Sequence, residues 1–205
     1  SSVILLFFLL SVGLFGEMPS FQQLENPSSS LATEVITTDN VVIGRYYLQN
    51  RSNITYDNIN PALRNALLAT EDIRYWEHTG VDFRALMRVL KGFVGSSGGG
   101  GSTVTQQLAK NLFPRERLNK IELVFRKLKE WIIAVKLERA YTKEEIMAMY
   151  FNTVPFSDNA FGIKSAAYVY FGKPVDSLKI EEAAILVGML KAPSTYNPRS
   201  RPEAS

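Results

Sequence analysis

From position 60 onward the apolar residues recur every three or four positions, the spacing of helices that bury one face. Segments 61–76, 82–94, 103–112, 119–140, 142–152, 161–170 and 180–191 are predicted helical. Asn60–Pro61 announces the first, a side-chain cap followed by a first-turn proline. Within it Leu63, Leu67 and Glu71 stand at i, i+4 and i+8, so a stripe that buries leucines ends in a carboxylate on the same face. The third segment opens on Thr103, with Gln106 as its capping-box partner. Thr103, Gln107 and Lys110 share one face of it, and Val104 and Leu108 point to the core. In the long fourth segment Ile121, Val124, Phe125, Leu128, Trp131, Ile132 and Val135 form the predicted core stripe, opposite Glu122, Arg126 and Glu130. Beyond Glu130 the polar face continues as Ile133 and Leu137, so the helix turns apolar all round from Trp131. Glu130 therefore stands where the helix enters the interior.

Before position 60 the pattern changes. Thr33 to Ile59 is rich in Val, Ile, Thr and Tyr around Asp39–Asn40, which predicts a β-hairpin or two short strands. Residues 17–32 mix Pro, Ser, Asn and Gln without a period, as a linker does. Val3 to Phe15 is uncharged but shorter than the roughly 20 residues that a membrane-spanning helix needs. Because the chain opens on Ser1, residues 1–16 are read as a truncated membrane anchor, ahead of a signal-peptide core or a buried helix. The pattern as a whole predicts a mainly α protein, and 205 residues at 46% hydrophobic content suffice for one substantial core.

Composition narrows the chemistry. The chain has no cysteine and a single histidine, His78, so thiol catalysis is excluded and a Cys/His zinc site would lack donors. The net charge is only +3, but ten lysines and arginines crowd the interval from Lys110 to Lys143, which suggests an anionic partner.

Several residues invite functional readings. Glu71, at the end of its inward stripe, sits where a carboxylate is harder to ionise, which suits general acid or base work; the alternative is a helix-end carboxylate paired with Arg74. His78 beside Tyr75 and Trp76 is either a proton shuttle or a hydrogen-bonded packing residue. Gly95, Gly100 and Ser102 mimic a nucleotide P-loop, but Gly101 stands where the lysine belongs and the preceding segment is helical, so that reading fails. A glycine tract before a helix whose polar face ends in Lys110 suits a pyrophosphate or sugar, or is a plain flexible loop. Arg126 and Glu130, with Lys127 alongside, form either a weak surface ion pair or a diphosphate cradle. Ser157–Asp158–Asn159 matches the SDN element of serine β-lactam-binding enzymes, but no Ser-x-x-Lys or Lys-Thr-Gly accompanies it.

Taken in order, EDIRYWEHTG at 71–80, GGSTVTQQLAKN at 100–111, RKLKE at 126–130, KEEIMAMYFN at 143–152 and LVGMLKAPSTYNP at 186–198 resemble glycosyltransferase family 51. TEVITTDNVVIGRYYLQNR at 33–51 resembles the lead-in strands of class A penicillin-binding proteins. The resemblance implies a lysozyme-like helical glycosyltransferase fold with a small membrane-associated jaw subdomain and a short N-terminal β segment. Its organisation would be an anchor over 1–16, a linker over 17–32, β lead-in over 33–59, the glycosyltransferase domain over 60–198, and the start of a further linker over 199–205.

By that resemblance the activity is polymerisation of lipid II into β-1,4-linked glycan, with inversion at the donor MurNAc C1 and release of undecaprenyl pyrophosphate. Glu71 is then the general base on the acceptor 4-hydroxyl. Lys110, Arg126, Lys127 and Lys191 are candidates to neutralise the departing diphosphate. Glu130 is the second carboxylate, which either positions those cations or shares a divalent ion with the diphosphate. Thr103, Gln107, Asn111 and Ser194 are expected to line the donor site, and Asp72, His78 and Asn152 to shape the cleft. No cofactor is required, although magnesium or manganese at the diphosphate is compatible. Expected partners are lipid II, the growing glycan, the cytoplasmic membrane and other cell-wall synthesis proteins, with no nucleic acid. The expected location is the outer face of the bacterial cytoplasmic membrane, held by a single-pass anchor. Tyr75 stands where the family usually has Phe, and Ala148 where a Glu is common. The rival readings are a lytic transglycosylase or lysozyme-like hydrolase, and a membrane-anchored module binding anionic lipid or nucleic acid.

Overall fold

The computed structural model describes residues 33–36, 42–46, 54–92, 100–112 and 120–204. The expected anchor and linker at 1–32 and the Asp39–Asn40 turn lie outside the described residues. Among those described, the chain is mainly helical, as expected. Strands β1 (Thr33–Ile36) and β2 (Val42–Tyr46) pair antiparallel, with Val35 opposite Gly44 and a bulge between Val35 and Ile36. Helices follow as α1 (Pro61–Glu71), α2 (Phe83–Gly92), α3 (Val104–Leu112), α4 (Lys120–Ala140), α5 (Lys143–Thr153), α6 (Ile163–Phe171) and α7 (Ile180–Lys191). No helix among the described residues is long and apolar enough to cross a membrane.

The chain resolves into two compact units. One contains 74–146; the other combines 28–73 with 147–205.

In the second of these, α1 packs on α7. Leu63 and Leu67 are fully buried with Ala183, Leu186 and Met189, so the predicted leucine stripe is the contact face. Asn60 fixes the start of α1 from two sides. Its Oδ1 accepts from the Ala62 amide at 2.8 Å, and its Nδ2 donates to the Leu178 carbonyl at 2.7 Å. The helix ends at Glu71, five residues earlier than predicted. Asp72 leaves helical backbone at φ −154°, ψ 71°, and Tyr75 turns into the core of the 74–146 unit, where its hydroxyl donates to the Lys143 carbonyl at 2.6 Å. Burial of that aromatic ring outweighs one more helical turn.

Within the 74–146 unit α3 packs on α4. Here the predicted stripe of α4 is corrected. Val124 is 61% exposed, and Phe125, Leu128, Trp131, Ile132 and Val135 are half-buried, whereas Glu130, Ile133, Ala134 and Leu137 face the core. Periodicity could not choose between two apolar faces; a close contact chose. Gly80 (φ +94°) lies so near α4 that a Cβ there would stand 2.8 Å from the Ala134 carbonyl carbon and oxygen. Gly80→Ala combines that clash with an unfavourable backbone, and should destabilise the protein by roughly 3 kcal/mol or more. Thermal melting should show a drop of about 6–12 °C or more; an unchanged melting temperature would mean that α4 has room to move.

Candidate active site

Glu71 closes the buried stripe of α1 half-exposed, where the i, i+4, i+8 spacing put it. Arg74, the partner weighed for it, ion-pairs with Asp82 at 2.7 Å. On α5 of the same unit, Tyr150 is fully buried. Burial pushes its phenol well above the ordinary tyrosine range, and the negative charge of Glu71 adds to the effect. The Glu71 carboxylate therefore acts electrostatically on a rigid aromatic group that sequence reasoning had passed over. Asp72 is buried, its amide bonded back to the Leu68 carbonyl. Asn152 clamps the chain ahead of α1: its Oδ1 accepts from the Ile54 amide at 2.8 Å and its Nδ2 donates to the Ile54 carbonyl at 2.9 Å. Both ends of its carboxamide hold backbone, so it shapes this region by fixing the entry to α1. Lys191, in the last turn of α7, and Ser194, just beyond it, are exposed.

The other candidates gather in the 74–146 unit. Thr103 does start α3, but its hydroxyl is used by the protein: it accepts from the Gln106 amide at 3.1 Å and donates to the Gly80 carbonyl at 2.7 Å. At 2% exposure it is a buried cap and not a lining residue. The predicted capping box is also only half made, because the Gln106 side chain donates to the Gly80 carbonyl at 3.3 Å. Gln107 and Asn111 are half-exposed and Lys110 is exposed, the arrangement its polar face predicted. His78 is a packing residue: its Nδ1 accepts from the Gly80 amide at 3.2 Å, and its ring meets Tyr75 edge-on.

Glu130 is the centre of the basic cluster. It is only 7% exposed, immediately before the apolar run Trp131–Val135 of α4. Its Oε2 accepts from Lys127 Nζ at 2.9 Å, and its Oε1 lies 3.8 Å from Arg126 Nε. Lys127 Nζ also donates to the Ser102 hydroxyl at 2.8 Å, while the Lys127 side chain stays 41% exposed. Arg126 Nη2 is buried without a hydrogen-bond partner in the protein. A buried orphan donor beside a partly exposed lysine is what an incoming phosphoryl oxygen would satisfy. Arg126, Lys127 and Glu130 were legible from their i, i+3, i+4 spacing. Ser102 was not, since it lies on a separate segment and only the packing of α3 on α4 brings it there.

A second polar cluster ties this unit together. Glu138 accepts from Lys143 Nζ at 2.8 Å and from the Thr105 hydroxyl at 2.6 Å, and the Lys143 ammonium lies 4.4 Å from the centre of the Tyr75 ring. These groups join α3, α4, Lys143 and Tyr75 within the unit, a structural use of charge beside the anionic partner that the basic stretch suggested.

A family model described as transglycosylase matches residues 39–205. The chain is 39% identical over 201 residues to penicillin-binding protein 1A of Aquifex aeolicus, covering 97% of this chain and 27% of that protein. It is 39% identical over 186 residues to penicillin-binding protein 1A of Escherichia coli, covering 89% and 21% respectively. With penicillin-binding protein 1A of Neisseria lactamica it shares 37% identity over 191 residues, 92% of this chain and 23% of that one. The chain thus spans about a quarter of the length of these curated relatives.

Proposed function

The chain belongs to the transglycosylase family, the peptidoglycan glycosyltransferases of family 51, and from that membership we propose that it polymerises lipid II into β-1,4-linked glycan strands. Glu71 removes the proton from the acceptor GlcNAc 4-hydroxyl as that oxygen attacks C1 of the donor MurNAc. The bond from C1 to undecaprenyl pyrophosphate breaks on the opposite side, so the configuration inverts. The leaving diphosphate needs positive charge as its bond breaks. Lys127 and Arg126 supply it, with Lys110 and Lys191 as outer contributors. Gln107, Asn111 and Ser194 hydrogen-bond the donor, and Thr103 sets the start of the helix that presents the first two.

The observation that carries this reading is the Arg126–Lys127–Glu130 cluster, in which a buried carboxylate holds two cations while one guanidinium nitrogen stays without a protein acceptor. A glycan hydrolase has no diphosphate to neutralise and no use for such a cluster. Glu130 acts by orienting the cations. With Lys127 Nζ 2.9 Å from its Oε2, Glu130 on this reading leaves the diphosphate to the cations, and no divalent metal is required. Polymerisation should accordingly continue at a comparable rate in EDTA, and a rate abolished by EDTA and restored by manganese would reverse this assignment of Glu130.

The enzyme works at the outer face of the cytoplasmic membrane, where its lipid-carried substrate is held, alongside other cell-wall synthesis proteins. On α2, Phe83 and Met87 are exposed beside the exposed Arg84 and Arg88, a combination that suits an anionic bilayer surface. The deciding experiment incubates the protein with lipid II in detergent or vesicles and resolves the products. Long glycan strands support the reading; cleavage of preformed strands without polymerisation would select a lytic enzyme, and salt-sensitive binding with neither activity a binding module.

A further inference from the structure

We propose that Ser102 is a positioning residue for the diphosphate-binding Lys127, acting through the ammonium and not through the substrate. The proposal rests on the glycosyltransferase reading of the cluster. Lysine carries its charge on a flexible four-carbon stem, so a compact ammonium needs fixed acceptors if it is to meet a ligand in one place. Glu130 provides one, at 2.9 Å from Lys127 Nζ, but it is on the same helix three residues away and fixes the stem only along that helix. Ser102 provides the other at 2.8 Å, from a different segment.

The position of Ser102 is itself well determined. Its neighbour Thr103 caps α3 and donates to the Gly80 carbonyl at 2.7 Å, and Gly80 sits against the Ala134 backbone of α4 in a contact that admits no side chain. The α4 helix that carries Lys127 is thereby tied, through Gly80 and Thr103, to the residue that accepts from its ammonium. With two of its three N–H groups directed to Glu130 and Ser102, Lys127 has a third for a phosphoryl oxygen, and its side chain is 41% exposed. Neither periodicity nor charge patterning singles Ser102 out, because its hydroxyl does no work within its own segment.

The test compares Ser102→Ala, Ser102→Thr and Ser102→Cys with the wild type in a lipid II polymerisation assay. A charge-assisted hydrogen bond of this kind corresponds to about a tenfold effect. Ser102→Ala should therefore lower kcat by about tenfold with KM nearly unchanged and no loss of melting temperature. Ser102→Thr, which keeps the hydroxyl, should restore most of the rate, while Ser102→Cys, a poor acceptor of the same size, should not. In a Lys127→Met background Ser102→Ala should cause no further loss, since residues that act as a unit are non-additive. Full activity in Ser102→Ala, or an equal loss with and without Lys127, would overturn the proposal. A measurement independent of the reaction separates it from the functional reading: acetic anhydride labelling of Lys127, read by mass spectrometry, should rise relative to Lys129 in Ser102→Ala. If labelling rises but the wild type does not polymerise lipid II, the positioning stands and the glycosyltransferase reading falls. If the wild type polymerises lipid II and labelling is unchanged, the positioning falls alone. If Ser102→Ala does not fold, the Thr and Cys variants give the same contrast.

Discussion

Glu71→Gln should lower kcat for lipid II polymerisation by about 10²–10⁴-fold, the usual contribution of a positioned general base, while lipid II binding is retained. The amide keeps the size of the side chain and removes the proton acceptor. Placement of the residue argues that little else will change. Glu71 ends a helix whose leucines are fully buried against α7 and whose first residue is tied to the Leu178 carbonyl, so the backbone beneath it is held independently of its charge. One local effect should be visible: without the negative charge of Glu71, the Tyr150 phenol loses one of the two influences that raise it, leaving burial. The kinetic measurement is a continuous assay with labelled lipid II, paired with a binding titration under the same detergent. Wild-type turnover in Glu71→Gln would remove it as the base; loss of binding together with turnover would recast it as a substrate ligand.

For Glu130→Gln two effects are expected together. The substitution leaves Lys127 and Arg126 side by side with no compensating carboxylate. Removing one partner of a fully buried pair costs about 3–5 kcal/mol, and the partial exposure of Lys127 brings the expected loss to about 2 kcal/mol. That corresponds to a melting temperature lower by roughly 4–8 °C for a chain of this size. Catalysis should fall by about 10²-fold, because cations that are no longer aimed stabilise the departing diphosphate poorly. Titration with inorganic pyrophosphate distinguishes orientation from mere presence of charge: the mutant should still bind it, and the melting temperature should recover as pyrophosphate supplies the missing negative charge. An unchanged melting temperature and rate would show that Glu130 does not organise the cations. Because the carboxylate touches Lys127 directly, Lys127→Met in the same chain should recover part of the lost stability, but none of the lost rate.

The residues on α1 and those on α4 were unequally legible. Leu63, Leu67 and Glu71 lie on a helix with one apolar face, so period alone oriented it and the structure agrees. On α4 both faces are apolar over Trp131–Val135, and the predicted stripe from Val124 to Val135 proved to be the outer one. The transition at Glu130 was read correctly because it depends on where polarity ends and not on which face is buried. Thr103 was recognised as a cap, yet its apparent availability to substrate vanished once its hydroxyl was seen between Gly80 and Gln106. His78 resolved toward packing for the same reason, its Nδ1 meeting a backbone amide two residues on.

By itself the sequence determined that this protein is mainly helical, that its chemistry rests on carboxylates and cations and not on thiols, and, through five ordered blocks, which family it belongs to. These properties are local: period, residue inventory and motif order can all be read along one strand of text. Tertiary structure alone decided which face of α4 is inside, that the 74–146 unit is closed by the Glu138–Lys143–Thr105 cluster, and that Ser102 meets Lys127. Ser102 and Lys127 lie 25 residues apart and Thr105 and Glu138 lie 33 apart, and Gly80 reaches the Ala134 backbone only because it carries no side chain. Periodicity describes how one helix would meet a core, but only packing says which neighbour supplies it.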